Sequence, residues 1–323
     1  MKLRHKNLLF IILFFSAFVK AGEQPLQKGT FTNAAGSRDY YLYVPAKVSE
    51  KPALLVALHG CTQTAPDFAG QSGFTDLSDK YGFIAVFPEQ NYKQNIFKCW
   101  NWFKPENQEK TGGEASIIVD LTKKIVREVN GDERRIYITG LSAGAALAAN
   151  LFACHSGLYS GLGLHSGLEF KAARSDNEAQ QAMKNGSTQS LPASAADAVK
   201  CSGADARAGK AVIIHGSEDT VVNPVNAKRA VTQITIMNDL LDDGAENGSQ
   251  SLRPISTATN VVPNGYRYIT DDYGSANGLV HIRQVSVLGM KHAWSGAHRQ
   301  GQYADPKGPD AAEIIWNFLS GNQ

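Results

Sequence analysis

The sequence is short of cysteine, of internal repeats, of long apolar runs and of surplus charge, and each shortage closes off a class of protein. Four cysteines in 323 residues (Cys61, Cys99, Cys154 and Cys201) are too few for a dense disulfide knot, and 30 Gly with 12 Pro exclude a collagen-like chain. No two cysteines are spaced C-x-x-C and none has a histidine placed as in a zinc pattern, so neither a structural metal nor another cofactor is expected. No segment recurs at a fixed period, and no Ser/Thr/Pro-rich linker divides the chain. With 43% hydrophobic and 19% charged residues, the composition is that of an ordinary globular chain.

The one long apolar run, Leu8 to Val19, follows a basic leader and precedes Val19-Lys20-Ala21. It reads as a secretory signal peptide over residues 1–21, too short for a comfortable membrane span, with no cysteine close behind it to suggest a lipoprotein. Cleavage there takes Lys2, Arg4, Lys6 and Lys20 from the 32 basic residues and none from the 30 acidic ones. The formal charge of +2 becomes −2. The basic excess belongs to targeting, and nothing remains to attract a phosphate backbone, so no nucleic-acid partner and no membrane association after cleavage are expected. Export, to the periplasm or the extracellular space, makes disulfides permissible. An even count fits two bridges with three possible connectivities.

What is present is an alternation of strands and helices. Short apolar runs ending in Gly or Pro read as strands at Tyr40 to Val44, Ala53 to Leu58, Phe83 to Phe87, Arg135 to Thr139, Gly161 to His165 and Ala211 to His215, with a last one at Leu279 to Leu288. Between them, Ile117, Ile118, Leu121, Ile125 and Val129 recur at helical spacing, and helices are expected at 143–153, 224–240 and 309–319. The pattern predicts a single α/β domain over 22–323, with a mostly parallel central sheet covered by helices on both faces. Two stretches break the rhythm: 169–209, read as a helical excursion over one edge of the sheet, and 242–278, read as a long loop or small hairpin.

The chemistry centres on Gly140-Leu141-Ser142-Ala143-Gly144. The motif is weak alone, but a strand precedes it and a helix follows, which is the context a nucleophile elbow requires. A serine hydroxyl needs a base, and on this architecture the partners follow in the order Ser, acid, His. Asp219, in Gly216-Ser-Glu-Asp219 after a strand, is the expected acid, and Glu218 beside it is read as solvated. Of the later histidines, His281 lies within a strand, His292 in the loop after the last strand and His298 six residues on. His292 is the expected base and His298 the understudy. Two backbone N–H groups should form an oxyanion hole, those of Ala143 and of Cys61 in His59-Gly60-Cys61-Thr62-Gln63. His59 is read as orienting that loop, and Glu114 as a helix-start carboxylate.

His59-Gly-Cys-Thr-Gln63, Pro88-Glu-Gln90, Cys99-Trp-Asn-Trp-Phe103, Gly113-Glu114, the Ser142 motif, His292-Ala-Trp-Ser-Gly296 and Asp305-Pro-Lys-Gly-Pro-Asp310 together resemble the polyhydroxybutyrate depolymerase family of secreted α/β-hydrolase esterases. The resemblance runs from about Thr30 to Phe318. It implies an α/β-hydrolase fold, a triad of Ser142, Asp219 and His292, a contribution of Cys61 to the oxyanion hole, and a polyester or small ester as substrate. The chain departs from the family at Gly296-Ala297, where Gly-Gly is common, and within these residues no linker leads to a separate substrate-binding module, so little action on crystalline polymer is expected. Trp294, Trp100 and Trp102 are expected to bind substrate at the cleft rim, while Trp316 is expected in the core. Cys61 and Cys99 fall in loops expected at the catalytic edge, and Cys154 and Cys201 end the nucleophile helix and the excursion after it. Among the three connectivities this favours Cys61–Cys99 and Cys154–Cys201. A feruloyl or acetyl-xylan type carbohydrate esterase would share the triad, and a non-catalytic binding protein could keep the scaffold.

Overall fold

A computed structural model describes residues 24–321. The expected signal peptide, residues 1–21, lies outside the described residues. The chain opens with an antiparallel pair, β1 (Gln27–Asn33) and β2 (Gly36–Tyr43), then β3 (Leu54–Leu58), α1 (Ala65–Ser72), α2 (Phe74–Tyr81) and β4 (Ile84–Pro88). After a long loop come α3 (Gly113–Glu128), β5 (Ile136–Leu141), α4 (Ala143–Cys154) and β6 (Gly161–His165). α5 (Asp176–Asn185) and α6 (Leu191–Ser202) lead to β7 (Lys210–Gly216) and α7 (Val225–Asp243). The chain closes with β8 (Ser256–Val261), β9 (Arg267–Gly274), β10 (Val280–Val287), the two-residue strands β11 (Trp294–Ser295) and β12 (Ala304–Asp305), and α8 (Ala311–Ser320).

The first ten strands form one sheet in the order β1-β2-β4-β3-β5-β6-β7-β10-β9-β8. The six from β4 to β10 in that order are parallel, and antiparallel pairs extend both edges. Alternation along the central strands builds a core on each face. Leu54, Val56 and Leu58 of β3, with Ala211 and Ile213 of β7, pack under α3, α4 and α7. Leu55 and Ala57, with Val212 and Ile214, pack under α1, α2 and α8. Each of the Leu, Ile and Val side chains among them, fully removed from water, contributes roughly 1.5–3 kcal/mol. Several helices start on a side-chain cap: Thr64, Ser175, Ser190 and Asp310 each accept a first-turn N–H of the helix that follows.

In the 242–278 stretch, β8 and β9 form a hairpin that joins the sheet through β9 on β10. β8 is almost wholly exposed, so it carries no apolar signature of a strand. In the 169–209 stretch, α5 packs on α7, and α6 packs on α4 and α7, covering one face of the sheet rather than its edge. The parallel strands all end on the same side, with Leu141 beside His165 and His165 beside Ile214, so the turns after β5, β7 and β10 meet along one edge.

Candidate active site

The turn after β5 is made sharp by the glycines around Ser142. A Cβ on Gly140 would stand 2.5 Å from the carbonyl carbon of Gly144, and one on Gly144 would stand 2.3 Å from the oxygen of Leu58. Neither position has room for a side chain. Ser142 itself is held at φ 57°, ψ −120°, a conformation that costs a non-glycine residue about 1–3 kcal/mol. α4 then begins at Ala143, so the unpaired N–H groups of its first turn point toward the serine. Because α4 is seated against the carbonyls of Leu58 and His59, the Ala143 N–H borders the loop that carries Cys61.

That loop is pinned at every other donor. The Gly60 N–H donates to Gln63 Oε1 at 2.8 Å and the Thr62 N–H to the Phe97 carbonyl at 2.7 Å, while Cys61 is bonded to Cys99. The Cys61 N–H between them has no acceptor among the described residues. Behind the loop, His59 Nδ1–H donates to Gly60 O at 2.7 Å and Nε2 accepts the Gln90 N–H at 3.0 Å, which fixes a neutral ring. Burial pushes its pKa down to about 4. Glu114, read from the sequence as a helix-start carboxylate, is also half of a buried ion pair with Arg38 at 2.9 Å. It accepts Gln90 Nε2–H at 2.6 Å and the Asn101 N–H as well, tying the 99–103 loop to α3.

The loops that carry Asp219 and His292 are bonded to each other before their side chains meet. The Ser217 N–H donates to Val287 O at 2.9 Å and the Glu218 N–H to Met290 O at 3.0 Å. Asp219 is buried and Glu218 exposed. Asp219 Oδ1 accepts the N–H groups of Val221 and Val222 at 2.9 and 2.8 Å, and Oδ2 accepts His292 Nδ1–H at 2.7 Å. His215 Nε2–H donates to Val222 O at 2.8 Å and lies 3.3 Å from the same Oδ2. Burial opposes charge on Asp219, but the hydrogen bonds from His215 and His292 outweigh it and hold the carboxyl well below the usual range. With its proton on Nδ1, His292 keeps Nε2 free to accept one. Tyr303 packs edge-on against its ring at 5.8 Å.

The rival histidines are committed elsewhere. His298 bridges Asp76 at 2.6 Å and Asp310 at 2.8 Å, and His281 is a partly buried residue on β10. Both bridges stand in the structure, Cys61–Cys99 and Cys154–Cys201. Among the described residues no group of three or more His, Cys, Asp or Glu side chains is placed to hold a metal, and no helix is long and apolar enough to cross a membrane.

The aromatic rim expected from the sequence needs correction. Trp294 is wholly buried, donating Nε1–H to Ser72 O at 3.2 Å, edge-on to Phe68 and Phe74 and stacked on His165. Trp100 is wholly buried and donates to His59 O at 3.0 Å; Trp102 is 4% exposed. None of the three is free to meet a substrate in this structure. Adjacency to His292 and to the cysteines suggested a rim, but the indole N–H groups of Trp294 and Trp100 are drawn inward to the buried carbonyls of Ser72 and His59. The apolar side chains that do stand out are Tyr92, Ile96 and Phe97, 66%, 72% and 61% exposed, on the stretch whose Phe97 carbonyl holds the Thr62 N–H. The sequence reading also passed over His165 and His215. A signal was there: three parallel strands carry a histidine at or beside their C-terminal end, His59 just after β3, His165 closing β6 and His215 next to last in β7, all on the sheet edge that carries Ser142.

A parallel sheet between two helical layers, with a strained serine at a strand-to-helix turn, defines an α/β hydrolase. The family model described as esterase PHB depolymerase matches residues 38–254. Poly(3-hydroxyalkanoate) depolymerase C of Paucimonas lemoignei is 30% identical over 293 residues, 90% of this chain and 67% of that protein. Acetylxylan esterase A of Emericella nidulans is 27% identical over 58% of this chain and 63% of its own length, and feruloyl esterase B of Talaromyces funiculosus 25% identical over 73% and 67%. The chain thus spans about two thirds of the length of these relatives. Among solved structures, an acetyl xylan esterase from Aspergillus awamori superposes with a TM-score of 0.67 at 22% identity, covering 83% of this chain and 94% of that one, a likeness of fold. The chain belongs to the polyhydroxybutyrate depolymerase family of esterases and is a carboxylic ester hydrolase of the depolymerase and acetylxylan esterase type.

Proposed function

We propose that this protein is an exported serine esterase that cleaves the ester bonds of poly(3-hydroxybutyrate) or its oligomers through a Ser142-His292-Asp219 acyl-enzyme mechanism. The observation that carries the reading is the Asp219–His292 hydrogen bond at the same sheet edge as the Ser142 turn. In the mechanism, His292 Nε2 takes the Ser142 proton as Oγ attacks the ester carbonyl. Asp219 holds the ring's tautomer and stabilises the imidazolium without itself becoming protonated. The oxyanion develops against the N–H groups of Ala143 and Cys61. His292 then hands the proton to the departing alcohol, and the acyl-enzyme is hydrolysed by the same steps with water. Tyr92, Ile96 and Phe97 give a flexible, uncharged ester chain apolar surface next to the oxyanion loop.

A feruloyl or acetyl-xylan reading is favoured by the names of several relatives. The test is a panel of hydroxybutyrate oligomers, aryl esters, acetylated xylan and feruloyl esters, run with the native chain, Ser142→Ala and His292→Ala. Each variant should lose roughly 10³-fold or more in kcat, with the double variant little worse. Feruloyl or xylan ester turnover without oligomer turnover would move the assignment to the second reading, and an active Ser142→Ala would end the triad.

A further inference from the structure

The nucleophile turn and the loop that carries the base are both held by a residue belonging to neither. β6 lies between β5, which leads to Ser142, and β7, which leads to Asp219, and its last residue, His165, is wholly buried. The carbonyl of His165 accepts the Ser142 N–H at 2.9 Å. Its imidazole Nε2 lies 3.0 Å from the N–H of Ser295, three residues beyond His292. Its ring stacks on Trp294 with centroids 4.8 Å apart and planes inclined by 28°.

A backbone N–H can only donate, so Nε2 of His165 must be unprotonated and the ring proton sits on Nδ1, 3.1 Å from Ser166 Oγ. A protonated ring would set one N–H against another. Burial, with His215 and His292 nearby, pushes the pKa well below 6.5 and keeps the ring neutral. His215 works the opposite way, donating from Nε2 to the acid loop. Two buried histidines therefore serve two loops, one by accepting and one by donating.

We propose that His165 is a positioning residue which sets the separation of Ser142 from the His292 loop by receiving one N–H from each. This rests on the triad reading above. An apolar side chain at this position would leave the buried Ser295 N–H unpaired, and the loop would move to find another acceptor. A shift of about 1 Å in the base is enough to cost on the order of 100-fold in rate.

The test compares two amides. In His165→Gln the side-chain oxygen can stand near the position of Nε2, whereas in His165→Asn it reaches only as far as Nδ1. With an aryl acetate substrate, the glutamine variant should keep kcat within about threefold, and the asparagine variant should lose about 10- to 100-fold in kcat at unchanged KM. Equal loss in both variants, or activity that simply follows melting temperature, would overturn the proposal. Should neither variant fold, nitrogen NMR of the native chain decides. A neutral Nδ1–H tautomer is expected between about pH 5 and pH 8, and an Nε2–H tautomer or a titration in that interval would sink the idea. Ser142→Ala measured alongside separates the two hypotheses. An active Ser142→Ala overturns the triad, while equal loss in the two amides beside an inactive Ser142→Ala overturns only the role of His165.

Discussion

Asp219 shows how far one side chain can be constrained at this edge. Its two oxygens take two backbone N–H groups and the His292 N–H, with His215 Nε2 a further 3.3 Å contact, so no rotation of the carboxylate is left. Asp219→Asn must set an amide N–H against one of those donors, and kcat should fall by about 10⁴-fold through the wrong tautomer of His292. The fold should survive, and circular dichroism checks that. The depressed carboxyl also contributes stability, present above its unfolded value near ~4 and lost as pH falls through the folded one. Trp294 makes the contrasting residue-scale prediction. Since it fills the space between Phe68, Phe74 and His165, Trp294→Ala should cost roughly 3–5 kcal/mol of stability. Chemical denaturation measures this. Reduced turnover restricted to long substrates, with unchanged stability, would restore the tryptophan to the rim.

At the scale of elements, the site depends on loops that are individually irregular and jointly tied. The Cys61–Cys99 bridge closes a span of 38 residues and the Cys154–Cys201 bridge one of 47. In the chain-entropy model each is worth about 4 kcal/mol. The Arg38–Glu114 pair fastens β2 to the start of α3 and, through Gln90 and Asn101, to the bridged loop. Both side chains are almost completely buried, at 3% and 4% exposure, so removing one partner strands a charge. Arg38→Met should therefore destabilise the protein by about 3–5 kcal/mol. A denaturant midpoint unchanged from the native chain would show the pair to be dispensable.

Across the whole molecule, the sheet edge that carries Asp219 and the helices clamped by His298 respond to pH in opposite directions. His298 joins α2, through Asp76, to the first residue before α8, Asp310. Burial opposes its charge, yet the two carboxylates prevail and raise its pKa above 6.5. A raised value means that this contribution is complete below the unfolded pKa and is lost as pH climbs through the folded one. Asp219, depressed, is lost on the acid side instead. Thermal melting followed across pH should decline on both flanks, and His298→Ala should flatten the alkaline decline alone. An alkaline flank identical in that variant would show that the clamp contributes nothing.

The order of the chain was enough for much of this. Val56 and Ile213, in short runs buried on both sides, made central strands legible, and the Gly140–Gly144 spacing made the sharp turn at Ser142 legible, because its steric demand is local. The order Ser142, Asp219, His292 rests on the same kind of local cue, a loop after each strand. β1, α1 and α2 were not legible, and β8 only as one arm of the hairpin that was one of two readings of 242–278, since exposed or short elements carry little apolar period. What only the tertiary structure decided is which way each side chain faces and what it meets. Trp294 and Trp100 turn inward because their N–H groups find buried carbonyls at Ser72 and His59, far away in sequence. His165 acquires its role only when β6 is laid between β5 and β7 and the His292 loop folds back over it, because a hydrogen bond depends on distance in space and not along the chain.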